Sequence, residues 1–167
     1  MKPLIITLVG EDKPGLLGNL ANIVFEHNGN WLASNFAHMA NQFAGFVEVH
    51  IPADKEQDLT QALIAQPDVQ VTVNPGSQAQ ASTFKVAAIS LIGNDKPGIV
   101  QEIAQAIRNL HLNIEEFESL CESAASSGTT MFKANVQVKI PNDFNLDTLQ
   151  EAVETVANDL MVDIELQ

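Results

Sequence analysis

Asp12-Lys13-Pro14-Gly15 and Asp95-Lys96-Pro97-Gly98 are the same tetrapeptide, 83 positions apart, and they are the residues of this chain best suited to hold a ligand. Each follows an apolar run (Leu4 to Val9, Val86 to Ile92) and precedes a helix-like run beginning at Leu16 or Ile99. A turn that opens a helix offers unpaired backbone N–H groups and partial positive charge, which suit a carboxylate. Asp12 or Asp95 can take an ammonium group. Asn30 and Asn113 recur at one offset from the two turns, and each offers both a donor and an acceptor. The same residues also have ordinary structural uses: aspartate caps a helix, Pro-Gly shapes a turn, and asparagine opens the next strand.

The repeat is wider than the turn. Gly10 to Trp31 aligns without a gap on Gly93 to Ile114, with seven of 22 positions identical. A period this long suits a duplicated small domain rather than a solenoid. The expected layout is one domain over residues 1–74, a small polar linker over 75–83, and a second domain over 84–167.

Other chemistries find no support. His27, His38, His50 and His111 are dispersed, with no metal-pair spacing. Cys121 adjoins Glu122, which does not favour a thiolate. Glu115, Glu116 and Glu118 read as the solvated face of an edge strand. Ser126-Ser127-Gly128 is no nucleophile elbow, and no glycine-rich phosphate loop is present. The chain therefore reads as a non-enzyme with no catalytic residues, no metal site and no cofactor.

Charge narrows the partners. The net charge is −13, with three basic against eight acidic residues in 1–83 and five against thirteen in 84–167. Both halves repel phosphate backbones, so direct nucleic-acid binding and adhesion to an anionic membrane are disfavoured. No apolar run approaches a membrane span, no signal peptide is visible, and one cysteine allows no internal disulfide; these point to the cytoplasm.

The elements that must position the turns follow from periodicity. Leu16, Leu20, Ile23 and Val24 mark a helix, with Leu17 and Ala21 widening its stripe, and His27-Asn28-Gly29 stops it. Trp31 to Ala40 reads as a strand, Asn41-Gln42 as a hairpin turn, and Phe43 to Ile51 as the next strand. Asp54 with Gln57 resembles a capping box ahead of a helix carrying Leu59, Ala62 and Leu63. Val69, Val71 and Val73 form a last strand. The second half repeats the order: Ile99, Ile103, Ile107 and Leu110 in a helix, then Asn113 to Glu122, then the cleanly alternating Met131 to Ile140. A helix capped near Asn142 or Asp143 carries Leu149, Val153, Val156 and Leu160, and Val162, Ile164 and Leu166 close the chain. Cys121 to Thr129 is a Ser/Ala/Gly-rich loop. The fold class is α+β: two ferredoxin-like β-α-β-β-α-β sandwiches, each an antiparallel sheet with helices on one face.

With this order and a D-x-P-G turn after the first strand, each half resembles an ACT domain, the small regulatory module that binds amino acids. The resemblance implies a ligand held by Asp12, Gly15, Leu16 and Asn30, and by Asp95, Gly98, Ile99 and Asn113, each site built between one turn and the second strand of a neighbouring unit. A chain of two such domains is similar to the glycine cleavage system transcriptional repressor group. That implies sensing of glycine or a similar small amino acid, and repression through a transcriptional activator protein that binds DNA. The same fold also serves allosteric regulatory subunits of metabolic enzymes. In a ferredoxin-like sheet the second strand is an edge; Trp31 to Ala40 has no charged residue while Ile114 to Glu122 has four glutamates. The two halves are therefore expected to pair within one chain along these edges, with a homo-oligomer also open.

Overall fold

Alternating stretches form strands and helically spaced stretches form helices, in the order the periodicity predicts. The computed structural model describes residues 1–77, 84–123, 128–156 and 159–166. They fall into two compact units, Met1–Gln80 and Ala81–Gln167. Residues 78–83 of the expected linker and 124–127 of the Ser/Ala/Gly-rich loop lie outside the described residues.

Unit 1 runs β1 (Lys2–Glu11), α1 (Leu16–Glu26), β2 (Asn30–Met39), β3 (Gln42–Ile51), α2 (Glu56–Ile64) and β4 (Val69–Pro75). Unit 2 runs β5 (Phe84–Asn94), α3 (Ile99–Asn109), β6 (Asn113–Ser123), β7 (Thr130–Pro141), α4 (Leu146–Val156) and β8 (Leu160–Leu166). Both sheets are four-stranded, in the orders β2-β3-β1-β4 and β6-β7-β5-β8, and every pairing is antiparallel. The first and third strands of each unit are thus central and the second and fourth are edges.

One face of each sheet is dry. In unit 1, Leu4, Ile6 and Leu8 of β1 and Val47, Val49 and Ile51 of β3 pack with Leu20 and Val24 of α1 and Leu59 and Leu63 of α2. In unit 2, Ile89 and Leu91 meet Val136, Val138, Ile103, Ile107, Leu149 and Val153. Each such side chain contributes about 1.5–3 kcal/mol on burial, so the two cores supply the main drive to fold. Lys133, Asn135, Gln137 and Lys139 take the opposite face of β7, as the alternation predicts.

Several local readings are corrected. The β2–β3 turn is Ala40-Asn41, not Asn41-Gln42: both residues have positive φ, 48° and 63°, and Gln42 already pairs with Met39. Two left-handed residues make the type I′ turn whose twist matches the flanking strands. No capping box starts α2; its first position is flanked by Lys55, whose side chain makes no cap bond, in place of Asp54 and Gln57. Helix α4 is capped by Asn145, whose Oδ1 accepts the Asp147 N–H at 2.9 Å, not by Asn142 or Asp143. Leu160 belongs to β8 rather than α4, paired with Gly93. Leu17 and Ala21 do not widen the buried stripe of α1, because both face solvent.

The stop of α1 also has a different cause from the one expected. Asn28, with φ 58°, is the left-handed residue after the helix, and His111 repeats it in unit 2 at φ 58°. Gly29 is needed for room: a β-carbon there would lie 2.8 Å from Val24 Cγ1 and 2.9 Å from the Val24 carbonyl oxygen.

Candidate functional site

The repeated tetrapeptide folds into the same turn in both units. The N–H of Leu16 donates to the Lys13 carbonyl at 3.2 Å, and Ile99 to Lys96 at 3.3 Å. Gly15 has φ 86° and ψ −1°, and Gly98 has φ 90° and ψ −1°. Proline second and a left-handed residue third make a type II turn, which glycine adopts without steric cost. A β-carbon at either glycine would meet nothing within 4 Å, so the turn's outer surface is open.

Each turn delivers a helix start with no side-chain cap. Asp12 and Asp95 therefore do not cap α1 and α3, which removes their ordinary structural explanation. The N–H groups of Leu17 and Gly18, or Val100 and Gln101, have no intrahelical acceptor. Such an end attracts a carboxylate. Leu16 and Ile99 anchor it from below, at 9% and 4% exposure. Gly10 and Gly93 fix the sheet end beneath: a β-carbon at 10 would strike Asp68 and Val69 at the start of β4, and one at 93 would strike Asp159 and Leu160 at the start of β8. Their recurrence thus reflects close strand packing.

The two turns differ in their surroundings. Lys13 Nζ reaches Asp68 Oδ1 at 2.5 Å, whereas Lys96 Nζ reaches Glu102 Oε2 at 2.8 Å, in the first turn of α3. The Asp68 hydrogen bond, then the Asp68 charge, raise the Lys13 pKa above its ordinary value. The Asp95 N–H donates to the Thr130 carbonyl at 2.9 Å. Desolvation raises the pKa of Cys121, and the charge and hydrogen bond of Asp95 raise it further, so this thiol is held protonated. It is not an activated nucleophile.

Asn30 and Asn113 open β2 and β6, both exposed. Asn30 lies opposite His50, which pairs with Glu48 at 3.0 Å; Asn113 lies opposite Lys139, which pairs with Glu115 at 2.8 Å. Beside each asparagine the register shifts, between Trp31 and Ala33 and between Ile114 and Glu116. The sequence reading missed this duplicated bulge, whose only trace is a break in alternation. Bulges re-aim neighbouring side chains and are common beside functional sites.

Within one unit the turn and the asparagine do not meet. Asn30 faces His50, and His50 faces Pro3 at the start of β1, while Asp12 follows its end. At about 3.3 Å per residue, the two lie roughly 30 Å apart along the sheet. The same register separates Asp95 from Asn113.

Also missed was an aromatic row in unit 1, running from the turn end back towards Asn30. Phe43 pairs with Gly10 and stacks on Phe36, with ring centroids 5.2 Å apart, and Trp31 lies 6.1 Å from Phe36. Among the described residues, no three His, Cys, Asp or Glu side chains converge as metal ligands, and no helix is long and apolar enough to cross a membrane.

Residues 2–73 match the family model of the ACT domain. No curated protein matches the chain. Two solved structures share its fold across nearly the full length. An unknown protein from Galdieria sulphuraria is 21% identical at a TM-score of 0.86, over 99% of this chain and 98% of that one. A candidate glycine cleavage system transcriptional repressor is 17% identical at a TM-score of 0.68, over 99% and 97%.

Proposed function

We propose that this chain, an ACT domain followed by a second unit of the same fold, is a small-amino-acid-sensing regulator that represses glycine cleavage genes through a DNA-binding protein partner. The observation that carries this reading is the duplicated Asp-Lys-Pro-Gly turn, which in both units leaves an uncapped helix start under an open left-handed glycine. An α-amino acid offers the matching groups: its carboxylate suits the free N–H groups, and its ammonium suits Asp12 or Asp95. Glycine or another small residue is the expected ligand. The net charge of −13 favours action through a protein partner over direct contact with DNA. Within unit 1 the Asp12 turn and Asn30 lie at opposite ends of the sheet, so the turn is the part of the site this reading rests on.

Isothermal titration of the full chain against each standard amino acid tests the reading. Saturable heat with glycine or a close analogue is expected, reduced in Asp12→Ala or Asp95→Ala. No binding to any amino acid overturns the sensor, and a salt-resistant gel shift of an operator fragment by the protein alone overturns the indirect route.

A further inference from the structure

Helix α1 turns an uncharged apolar stripe to solvent. Leu20 and Val24 face the core at 2% exposure each, while Leu17 is 43% exposed and Phe25 79%. Leu17, Ala21 and Phe25 are spaced four residues apart and line one side of the helix. No charged residue stands between Lys13 and Glu26. In unit 2, by contrast, α3 carries Glu102 in its first turn and Arg108, the counterpart of Phe25, in its last.

Two properties of the stripe specify what covers it. The chain carries a net charge of −13, so two copies meet with least repulsion where neither presents charge. Leu17 and Phe25 also stand equally far from Ala21. An antiparallel twofold crossing centred on Ala21 therefore sets Phe25 of each copy against Leu17 of the other, and Ala21 and Gly18 let the axes approach. Twofold interfaces require this self-complementarity. We infer that α1 is the contact of a homodimer, packing antiparallel on α1 of a second copy. A standard interface buries about 800 Å² per partner, and one short stripe covers only part of that, so the dimer dissociates on dilution. The inference stands apart from amino-acid sensing.

Sedimentation velocity of the full chain over a concentration series tests it. Self-association is expected, and Phe25→Glu, Leu17→Lys and Ala21→Arg should each raise the dissociation constant about tenfold or more. All three positions are exposed, and circular dichroism melts check that each variant is folded. In the double variant Leu17→Lys/Phe25→Glu the new charges meet across the twofold, so dimerisation should recover. A chain monomeric at every concentration, single variants that associate like wild type, or a double variant no better than the singles would each overturn the inference.

Discussion

Phe36 lies against the bare α-carbon of Gly45 on the neighbouring strand, where any β-carbon would collide with the ring and with the Asn35 carbonyl. The matching pair in unit 2 is Ser119 opposite Ala134. Both partners are small in unit 2, so the ring that covers Gly45 in unit 1 has no counterpart there.

Gly45→Ala should therefore destabilise unit 1 by about 1–3 kcal/mol through overpacking. Combining it with Phe36→Ser restores the arrangement of unit 2, so the double variant should lose less than the sum of the singles. Urea unfolding of the four proteins measures the coupling; strict additivity would show that the ring does not press on position 45.

At Gly15 and Gly98 the obstacle to a side chain is conformational. With φ near +90° and no atom within 4 Å, alanine should cost about 1–2 kcal/mol at either position without loss of fold. Asparagine, which tolerates the left-handed region, should cost less. Denaturation midpoints decide the order; equal losses for alanine and asparagine would contradict it.

The Lys13–Asp68 pair carries a defined pH signature. Its folded-state lysine pKa is raised above 10.5, so its contribution is fully present below pH 10.5 and fades as pH rises through the raised value. Wild type and Asp68→Asn should differ in stability at pH 7, less so in high salt, and converge as pH rises above 10.5 through the raised value. A difference that grows with alkalinity would reverse the assignment.

Cys121 is exposed yet should alkylate slowly near neutral pH, because desolvation and then Asp95 hold its thiol protonated. Asp95→Asn should speed modification by iodoacetamide and shift the rate profile to lower pH. An unchanged profile would detach Cys121 from Asp95.

If the turns bind ligand, Asp12→Ala and Asn30→Ala should weaken it additively, since residues more than about 10 Å apart rarely couple. A strong Asp12–Asn30 coupling, read by titration calorimetry, would show that the two act on one ligand despite that separation.

Most of the fold was legible because its signals are long. Phe132 to Ile140 alternates over a whole strand, and the Ile99-Ile103-Ile107 series repeats over two turns, so burial follows from spacing alone. The Pro-Gly turns were legible because only one residue type suits each position. What escaped was set by partners distant in sequence. Gly10 matters through Val69, Gly45 through Phe36, and the bulges through β3 and β7, none of which a local pattern reveals. Short caps failed for another reason: Asp54 and Asn142 are as competent as Asn145, and the wider fold chooses among them.

The pairing of β1 with β4 has a consequence for synthesis. Leu4 sits opposite Pro75, so the first sheet cannot close until Pro75 has left the ribosome. The second must wait for Leu166, which pairs with Ala87. Unit 1 can thus shut its core while unit 2 is still being made, as domains folding in order of emergence do. A nascent β5 then meets a β1 whose neighbours are already taken, which protects this near-duplicate from exchanging strands with its own copy.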